Sequence, residues 1–400
     1  MRVSYAGTVY GTEEINAVMR VLSNPKKIVA GPSVRRFEEK VAKLFGKPHG
    51  VMVNSGSSAN LLALDVLGLP RGSEVITPAL TFSTTLSPLL KLGLKPVFVD
   101  VEPGTYVVNI DEVERAITKK TKALMIPSLI GNLPDLARLA RLAKKHKLAF
   151  VDDSCDTIGA TFAGKPTGAY SDISTTSFYA SHIITAAGGG GMACFRDPVL
   201  AHRALLMANW GRESTLYGAY EKSEEIKKRF NSSVAGKPYD GKFIFSEIGY
   251  NFQPTELQGA FGLVQLARLP KVAAIRKRNF SELYAFFKSR EDMFVLPRAH
   301  ALAAPNWLAF PLTLRAGVPF SRLDLALYLE KRNIQTRPIF TGNVLRQPGF
   351  AGIAKDVKGA YPVSDHVMQN GLLVGCHHGL EKRHIDAMKN AFSDFLQKFS

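Results

Sequence analysis

The sequence predicts an α/β fold on a largely parallel sheet with a smaller C-terminal domain, and three observations carry that expectation. Seven short β-rich runs recur through the first half of the chain. Helical patterns separate most of them, as in successive strand–helix–strand units. The 400 residues are 46% hydrophobic and 21% charged with a mean hydropathy near zero, the balance of a folded globular chain of about two to three domains and not of a disordered one.

The runs, in order, are GVMVNS (50–55), EVITPA (74–79), KPVFVDV (95–101), KALMIPS (122–128), LAFVDDS (148–154), DISTTSFY (172–179) and GGMACF (190–195). The spacing predicts a helix over Leu133–Lys145, with Leu136, Leu139, Ala140 and Ala143 on the buried side and Arg138, Arg141 and Lys144 in water. From Glu213 to Lys242 the chain turns polar, rich in Gly and Ser and without a period, and reads as a long mobile insertion. Beyond Pro254 a long helix is expected through LQGAFGLVQLARL and, past Pro270, AAIRKRNFSELYAFFKS, linking a large domain to a small one. The chain closes on the amphipathic KRHIDAMKNAFSDFLQKF.

Composition also excludes functions. No eighteen-residue apolar stretch runs uninterrupted, and the opening MRVSYAGTVYGTEE lacks a signal-peptide core, so a cytoplasmic protein without a membrane partner is expected. The net charge of +17 is scattered through helices such as RRFEEKVAKLF and LARLARLAKKHK and is not interleaved with an aromatic or zinc-binding motif. No nucleic-acid partner is expected. Cys155, Cys194 and Cys376 are too few and too far apart for a disulfide framework or a CxxC metal knuckle, so no metal site is expected.

Three segments carry chemistry. The turn Asn54-Ser55-Gly56-Ser57-Ser58-Ala59-Asn60 leaves an apolar strand and enters the helix LLALDVLG, where small residues let backbone N–H groups approach an anion. The acids Asp152, Asp153 and Asp156 lie at the carboxyl end of the strand LAFV, where open α/β sheets place ligands. A carboxylate there can pair with a cationic ring nitrogen, or merely cap the next turn. Ser177, Tyr179 and His182 then precede the glycine run Gly188–Gly191, which allows close approach of a bulky planar ligand.

These segments, with GPSVRRFEEKVAKLFG, VITPALTFSTT, KPVFVDVEPGTY and GYNFQPTELQGAFGLVQL, occur in the order and spacing of the DegT/DnrJ/EryC1/StrS family. The chain resembles those pyridoxal-phosphate sugar aminotransferases over nearly its whole length. The resemblance implies fold type I of the pyridoxal-phosphate (PLP) enzymes: a mostly parallel seven-stranded sheet flanked by helices, a cofactor-binding domain over 1–265 and a small C-terminal α/β domain over 266–400. It also implies that Ser57, Ser58 and Ser177 hold the cofactor phosphate, with Asn251 supplied by the second subunit of an obligatory homodimer whose active sites are shared. Phe82 would lie on the ring, Asp153 would pair with its nitrogen, and Asp156 and Tyr179 would complete the cage.

One departure decides the activity that the resemblance implies. Aminotransferases of the family carry a lysine in the SFxxxK segment, and the residue here is His182, which cannot form the covalent link to the cofactor but can act as a base. The chain is similar to the family's 3-dehydratase branch in SFYxxH, in YAGTVY, in CDTIGATFAGKPTG and in Arg337 with GNVLRQP around Arg346. Those two arginines are candidates for a sugar-nucleotide diphosphate or a glutamate carboxylate. The expected reaction is C3 deoxygenation of a nucleotide-linked 4-keto-6-deoxyhexose in 3,6-dideoxysugar synthesis, with PLP and pyridoxamine phosphate as cofactor forms and L-glutamate as amino donor. One branch type carries a [2Fe–2S] cluster; Cys155 resembles one ligand, but the stretch after Trp210-Gly211-Arg212 reads Glu213-Ser-Thr-Leu-Tyr217, so no cluster is expected. Two departures, Gly188 where the family commonly has an acid and the insertion after Arg212, leave the substrate open. The alternatives are a reductase-assisted deoxygenase and a lysine-less homologue serving as a binding or regulatory subunit. His377 and His378 read as loop or core residues.

Overall fold

The computed structural model describes residues 1–24, 28–217, 225–355, 357 and 359–399. The seven predicted runs are all strands: β1 (His49–Val53), β2 (Glu74–Pro78), β3 (Lys95–Val99), β4 (Thr121–Pro127), β5 (Ala149–Asp153), β6 (Ile173–Ser177) and β7 (Gly191–Phe195). They form one sheet in the order β1-β7-β6-β5-β4-β2-β3, in which only β7 runs antiparallel to its neighbours. Helices cover both faces, which is why the central strands read as near-continuous apolar runs; Ile76, Leu124, Met125 and Val151 are fully buried. The first six strands stop a residue or two before their predicted ends, and β7 ends at Phe195 as predicted. The residues shed, among them Ser55, Ser154 and Tyr179, turn out of the sheet at its carboxyl edge.

Three helices frame that edge: α1 (Gly56–Asp65), α2 (Ser83–Lys91) and α3 (Leu136–His146). Asp135 caps α3 by accepting from the Arg138 N–H at 2.9 Å. Its buried face is Leu136, Leu139, Leu142 and Ala143, so Leu142 takes the place expected for Ala140, which is only partly covered. The expected long helix is two, α4 (Glu256–Ala267) and α5 (Leu269–Phe287), divided just ahead of Pro270, which has no N–H to continue the helical ladder.

A four-stranded antiparallel sheet, β8 (Phe294–Val295), β9 (Phe310–Leu314), β10 (Thr336–Pro338) and β11 (Gly371–Val374), lies in the C-terminal part in the order β8-β9-β11-β10. Val3 pairs in parallel with Ile334, so the first residues of the chain bridge to the segment just ahead of β10. Leu80, Val101 and Tyr106 share one apolar cluster with Phe287, Phe310 and Phe392, and that cluster crosses the domain boundary we propose at 265/266.

The insertion is not the structureless segment expected. A turn of helix (Ile226–Arg229) precedes a hairpin of Ser232–Val234 and Lys237–Tyr239. Ala235 and Gly236 between its strands both take positive φ, +53° and +77°, as a two-residue hairpin turn of this twist requires. Arg229 pairs with Asp240 across its base. Residues 218–224 of the insertion lie outside the described residues.

After β4 the chain makes a tight turn through Ile130 (φ +60°) and Gly131 (φ +88°). The Leu308 N–H donates to the Ile130 carbonyl at 2.8 Å, pinning the turn against residues 306–308. A Cβ on Gly131 would stand 2.3 Å from the Asn306 carbonyl oxygen. Gly131→Ala therefore combines a left-handed backbone with a clash against main chain, and should lower unfolding stability by about 3 kcal/mol or more, read as a lowered urea midpoint at unchanged m-value.

Candidate active site

A cavity of about 500 Å³ opens at the carboxyl ends of β1, β5 and β6, lined by residues from all three strand ends, from α1 and α2 and from Phe340. At one corner β1 passes into α1 through Ser55, whose Oγ accepts from the Ser58 N–H at 3.1 Å and so caps the helix. The first-turn N–H groups of a helix have no acceptor within it, and here that turn borders the cavity at Gly56 and Ser57. A Cβ on Gly56 would lie 2.7 Å from Ser177 Cβ and 3.0 Å from Cys155 Sγ, so only glycine lets α1 start this close to the ends of β5 and β6. Ser177 lines the same corner. Ser58 does not; its hydroxyl donates to Asn54 Oδ1 at 2.7 Å.

Asp153, buried at the end of β5, forms the opposite corner. Its Oδ2 accepts from Asn60 Nδ2 at 2.9 Å and from Thr85 Oγ1 at 2.7 Å, and its Oδ1 from the Cys155 N–H at 3.3 Å. Thr175 Oγ1 donates to Asn60 Oδ1 at 2.5 Å, fixing the amide that fixes the acid. Asn60 and Thr85 were not foreseen. Asn60 did carry a signal: it is a polar residue set among the apolar positions Ala59, Leu62, Ala63 and Leu64, all buried.

His182 sits in the turn after β6, its N–H donating to the Tyr179 carbonyl at 2.9 Å. Its Nε2 stands 3.9 Å from Asp156 Oδ1, and its Nδ1 is buried with no partner among the described residues. Burial is the main cause holding the imidazole down at about 4, outweighing nearby backbone of Ser177 and Cys155 and the negative charge of Asp153. Burial also pushes Asp156 up to about 7, opposed by the Ile130 N–H, which donates to Oδ2 at 3.0 Å. At neutral pH the imidazole is uncharged and can take a proton.

The walls are aromatic. Phe82, just before α2, stands edge-on to Phe340 with centroids 6.0 Å apart, and Tyr179, 58% exposed at the rim, meets the His182 ring at 6.0 Å and 83°. Phe340 comes from the C-terminal part and gave no local sequence signal. Gly188, Gly189 and Gly190 line the cavity as the glycine run suggested. Among the described residues no lysine lines it.

Other candidates lie elsewhere. Arg346 forms a two-point ion pair with Asp365 at 2.9 and 2.8 Å, and Arg337 lies exposed beside Tyr5; neither lines the cavity. Asn251 is exposed and bridges Asn209 through the backbone. His377 is buried and bonded to Ser4, a core residue as expected. Among the described residues no helix is long and apolar enough to cross a membrane.

A model of the DegT/DnrJ/EryC1/StrS aminotransferase family matches residues 9–393. The chain is 37% identical over 384 residues to a dTDP-4-dehydro-2,6-dideoxy-D-glucose 3-dehydratase of Saccharopolyspora spinosa, covering 94% of this chain and 82% of that protein. It is 36% identical over 401 residues to the lipopolysaccharide biosynthesis protein RfbH of Salmonella typhimurium, covering 98% and 91%. Among solved structures it is similar to a GDP-4-keto-6-deoxymannose-3-dehydratase with a trapped PLP-glutamate geminal diamine, at TM-score 0.84 and 28% identity over 97% of this chain and 99% of that one.

Proposed function

The chain belongs to the DegT/DnrJ/EryC1/StrS aminotransferase family, and from that premise we propose that it is a PLP- and pyridoxamine phosphate-dependent 3-dehydratase of a nucleotide-linked 4-keto-6-deoxyhexose. The observation that carries the proposal is His182, an imidazole in a cavity that no lysine lines among the described residues. An aminotransferase needs the lysine; a dehydratase needs only a base.

The residues present fit the cofactor. The Gly56 cradle and the start of α1 suit a phosphate, and Asp153, oriented by Asn60 and Thr85, suits a protonated ring nitrogen. When bound, the cofactor supplies an electron-withdrawing ring that stabilises negative charge on the carbon it carries. Ser57 and Ser177 hold the phosphate; Ser58 acts there through the cap it shares with Ser55, and Asn251 reaches the phosphate from the second subunit of a homodimer. Phe82, Tyr179 and Asp156, which line the cavity, would flank the ring. His182 Nε2 would take the proton from the carbon that the cofactor's amine carries and hand it to the C3 hydroxyl, which then leaves the sugar as water.

The electron balance requires a donor, and L-glutamate supplies it: the sugar loses one oxygen while glutamate becomes 2-oxoglutarate and ammonia. A relative's structure with a PLP–glutamate adduct supports that choice. Arg337, an exposed residue whose Nη1 donates to the Thr336 carbonyl and which has no carboxylate partner in an ion pair among the described residues, is the better candidate for the diphosphate, since Arg346 is committed to Asp365.

The test is an absorbance spectrum of the PLP-loaded protein before and after glutamate, followed by GDP-, CDP- and dTDP-4-keto-6-deoxyhexoses with mass detection. Conversion to the pyridoxamine form and a product lighter by one oxygen is the expected result. A half-reaction with glutamate but no sugar turnover would favour a reductase-assisted deoxygenase, and no spectral change would favour a binding subunit.

A further inference from the structure

Behind the cavity, in α5, lies Arg276, 1% exposed. Burying a guanidinium costs several kcal/mol unless it is paired, yet its hydrogen bonds go to two backbone carbonyls, Trp307 at 3.2 Å and Leu308 at 3.0 Å. Its Nε has no partner among the described residues. We propose that Arg276 is a positioning residue for the base, acting on His182 through the 307–308 backbone, the Ile130 turn and Asp156. The inference deepens the dehydratase reading and rests on it for the role of His182.

The links are continuous. Arg276 fixes the Trp307 and Leu308 carbonyls, and the Leu308 N–H donates to the Ile130 carbonyl at 2.8 Å. Ile130 is a β-branched residue at φ +60°, a conformation that persists only where its surroundings hold it. That conformation aims its own N–H at Asp156 Oδ2, 3.0 Å away, leaving Oδ1 facing His182 Nε2 at 3.9 Å. Asn306 ties the same segment to the chain just past Asp156, donating to the Ile158 carbonyl at 2.9 Å. A buried cation, a strained turn and a buried carboxyl thus converge on one imidazole.

The charge acts with the geometry. The ionisable groups around His182 and Arg276 are Asp153, Cys155 and Asp156 at the end of β5, Tyr179 on the same turn as His182, Tyr5 of the N-terminal segment, Cys376, His377 and His378 after β11, and Arg276 itself. Of these Arg276 alone is a permanent cation, and it disfavours protonation of His182, His377 and His378. Its removal should raise the titration midpoint of His182, because the protonated ring loses a repulsive neighbour.

The experiment uses the full PLP-loaded chain as wild type, Arg276→Met and Arg276→Lys, with ¹³C-labelled histidine rings and the His182 signal assigned by its loss in His182→Gln. In Arg276→Met the His182 midpoint should rise above that of wild type, and dehydration kcat should fall about tenfold while KM for the sugar nucleotide stays within about threefold. In Arg276 both carbonyl bonds come from Nη1, and Arg276→Lys keeps the charge on a shorter side chain that draws back from the two carbonyls, so the midpoint stays near wild type and kcat falls less. An unmoved midpoint in a folded Arg276→Met chain overturns the proposal. If Arg276→Met does not fold, Arg276→Lys carries the test: reduced kcat at unchanged KM supports it, and unchanged kcat overturns it. A wild-type chain that never dehydrates a sugar would defeat the dehydratase reading, while the ring titration would still report whether Arg276 governs His182.

Discussion

His182→Lys should lose dehydration by about 10²- to 10⁴-fold in kcat, the usual worth of a positioned general base. It should also gain what the native chain lacks, an amine able to bond covalently to the cofactor's aldehyde carbon. The two effects separate in the control His182→Gln, which removes the base without adding an amine. Both variants should fail to deoxygenate the sugar, but only His182→Lys should gain the mass of the cofactor after borohydride reduction. The same site sets the pH dependence. Burial keeps the imidazole at about 4, below its ordinary 6.5, so the base is available once pH exceeds the lower value. The acid limb of the kcat profile should therefore lie below pH 6.5, and a limb at the ordinary value would mean that the ring is solvated during turnover. Full dehydratase activity in His182→Lys would end the assignment of His182 as the base.

The parts of this molecule that the sequence made legible are those whose physics is local. Strands buried on both faces write themselves as apolar runs, and a parallel sheet places its chemistry where those runs end, so Asp153, Ser177 and His182 could be picked out together. What stayed hidden depends on distance along the chain. Thr85 meets Asp153 across 68 positions and Phe340 joins the cavity from another part of the fold, and neither leaves a mark in its own neighbourhood. Ser58 and Ser55 are three residues apart and chemically alike. Only the extended backbone at Ser55 makes it the cap and turns the Ser58 hydroxyl back to Asn54. The hairpin of the insertion was missed for a related reason: its turn is Ala-Gly, and alanine is an uncommon residue at positive φ.

The second large effect should come from Asp153. Its Oδ2 is committed to two donors, Asn60 and Thr85, and its Oδ1 has a single longer contact to the Cys155 N–H. Asp153→Asn preserves shape but not this pattern. If the new amide nitrogen faces this side, the Thr85 hydroxyl can turn to accept but the Asn60 amide N–H confronts another donor in a buried site, which costs about 1–3 kcal/mol. If instead the amide turns its oxygen to them, a nitrogen donor occupies the other side, and nothing there can accept a proton-bearing ring nitrogen. In either orientation the ring loses the carboxylate that would keep it protonated, so kcat should fall by about 10²- to 10³-fold, on the scale of other lost electrostatic partners. Thr85→Val removes one donor and leaves the acid, so its loss should be about tenfold or less, near 1 kcal/mol. Cofactor titration by absorbance and kcat on the same preparations check both. Because Asn60 is itself held by Thr175, the acid should keep its place in Thr85→Val, and equal losses in the two variants would mean that Thr85 acts on the cofactor directly and not through Asp153.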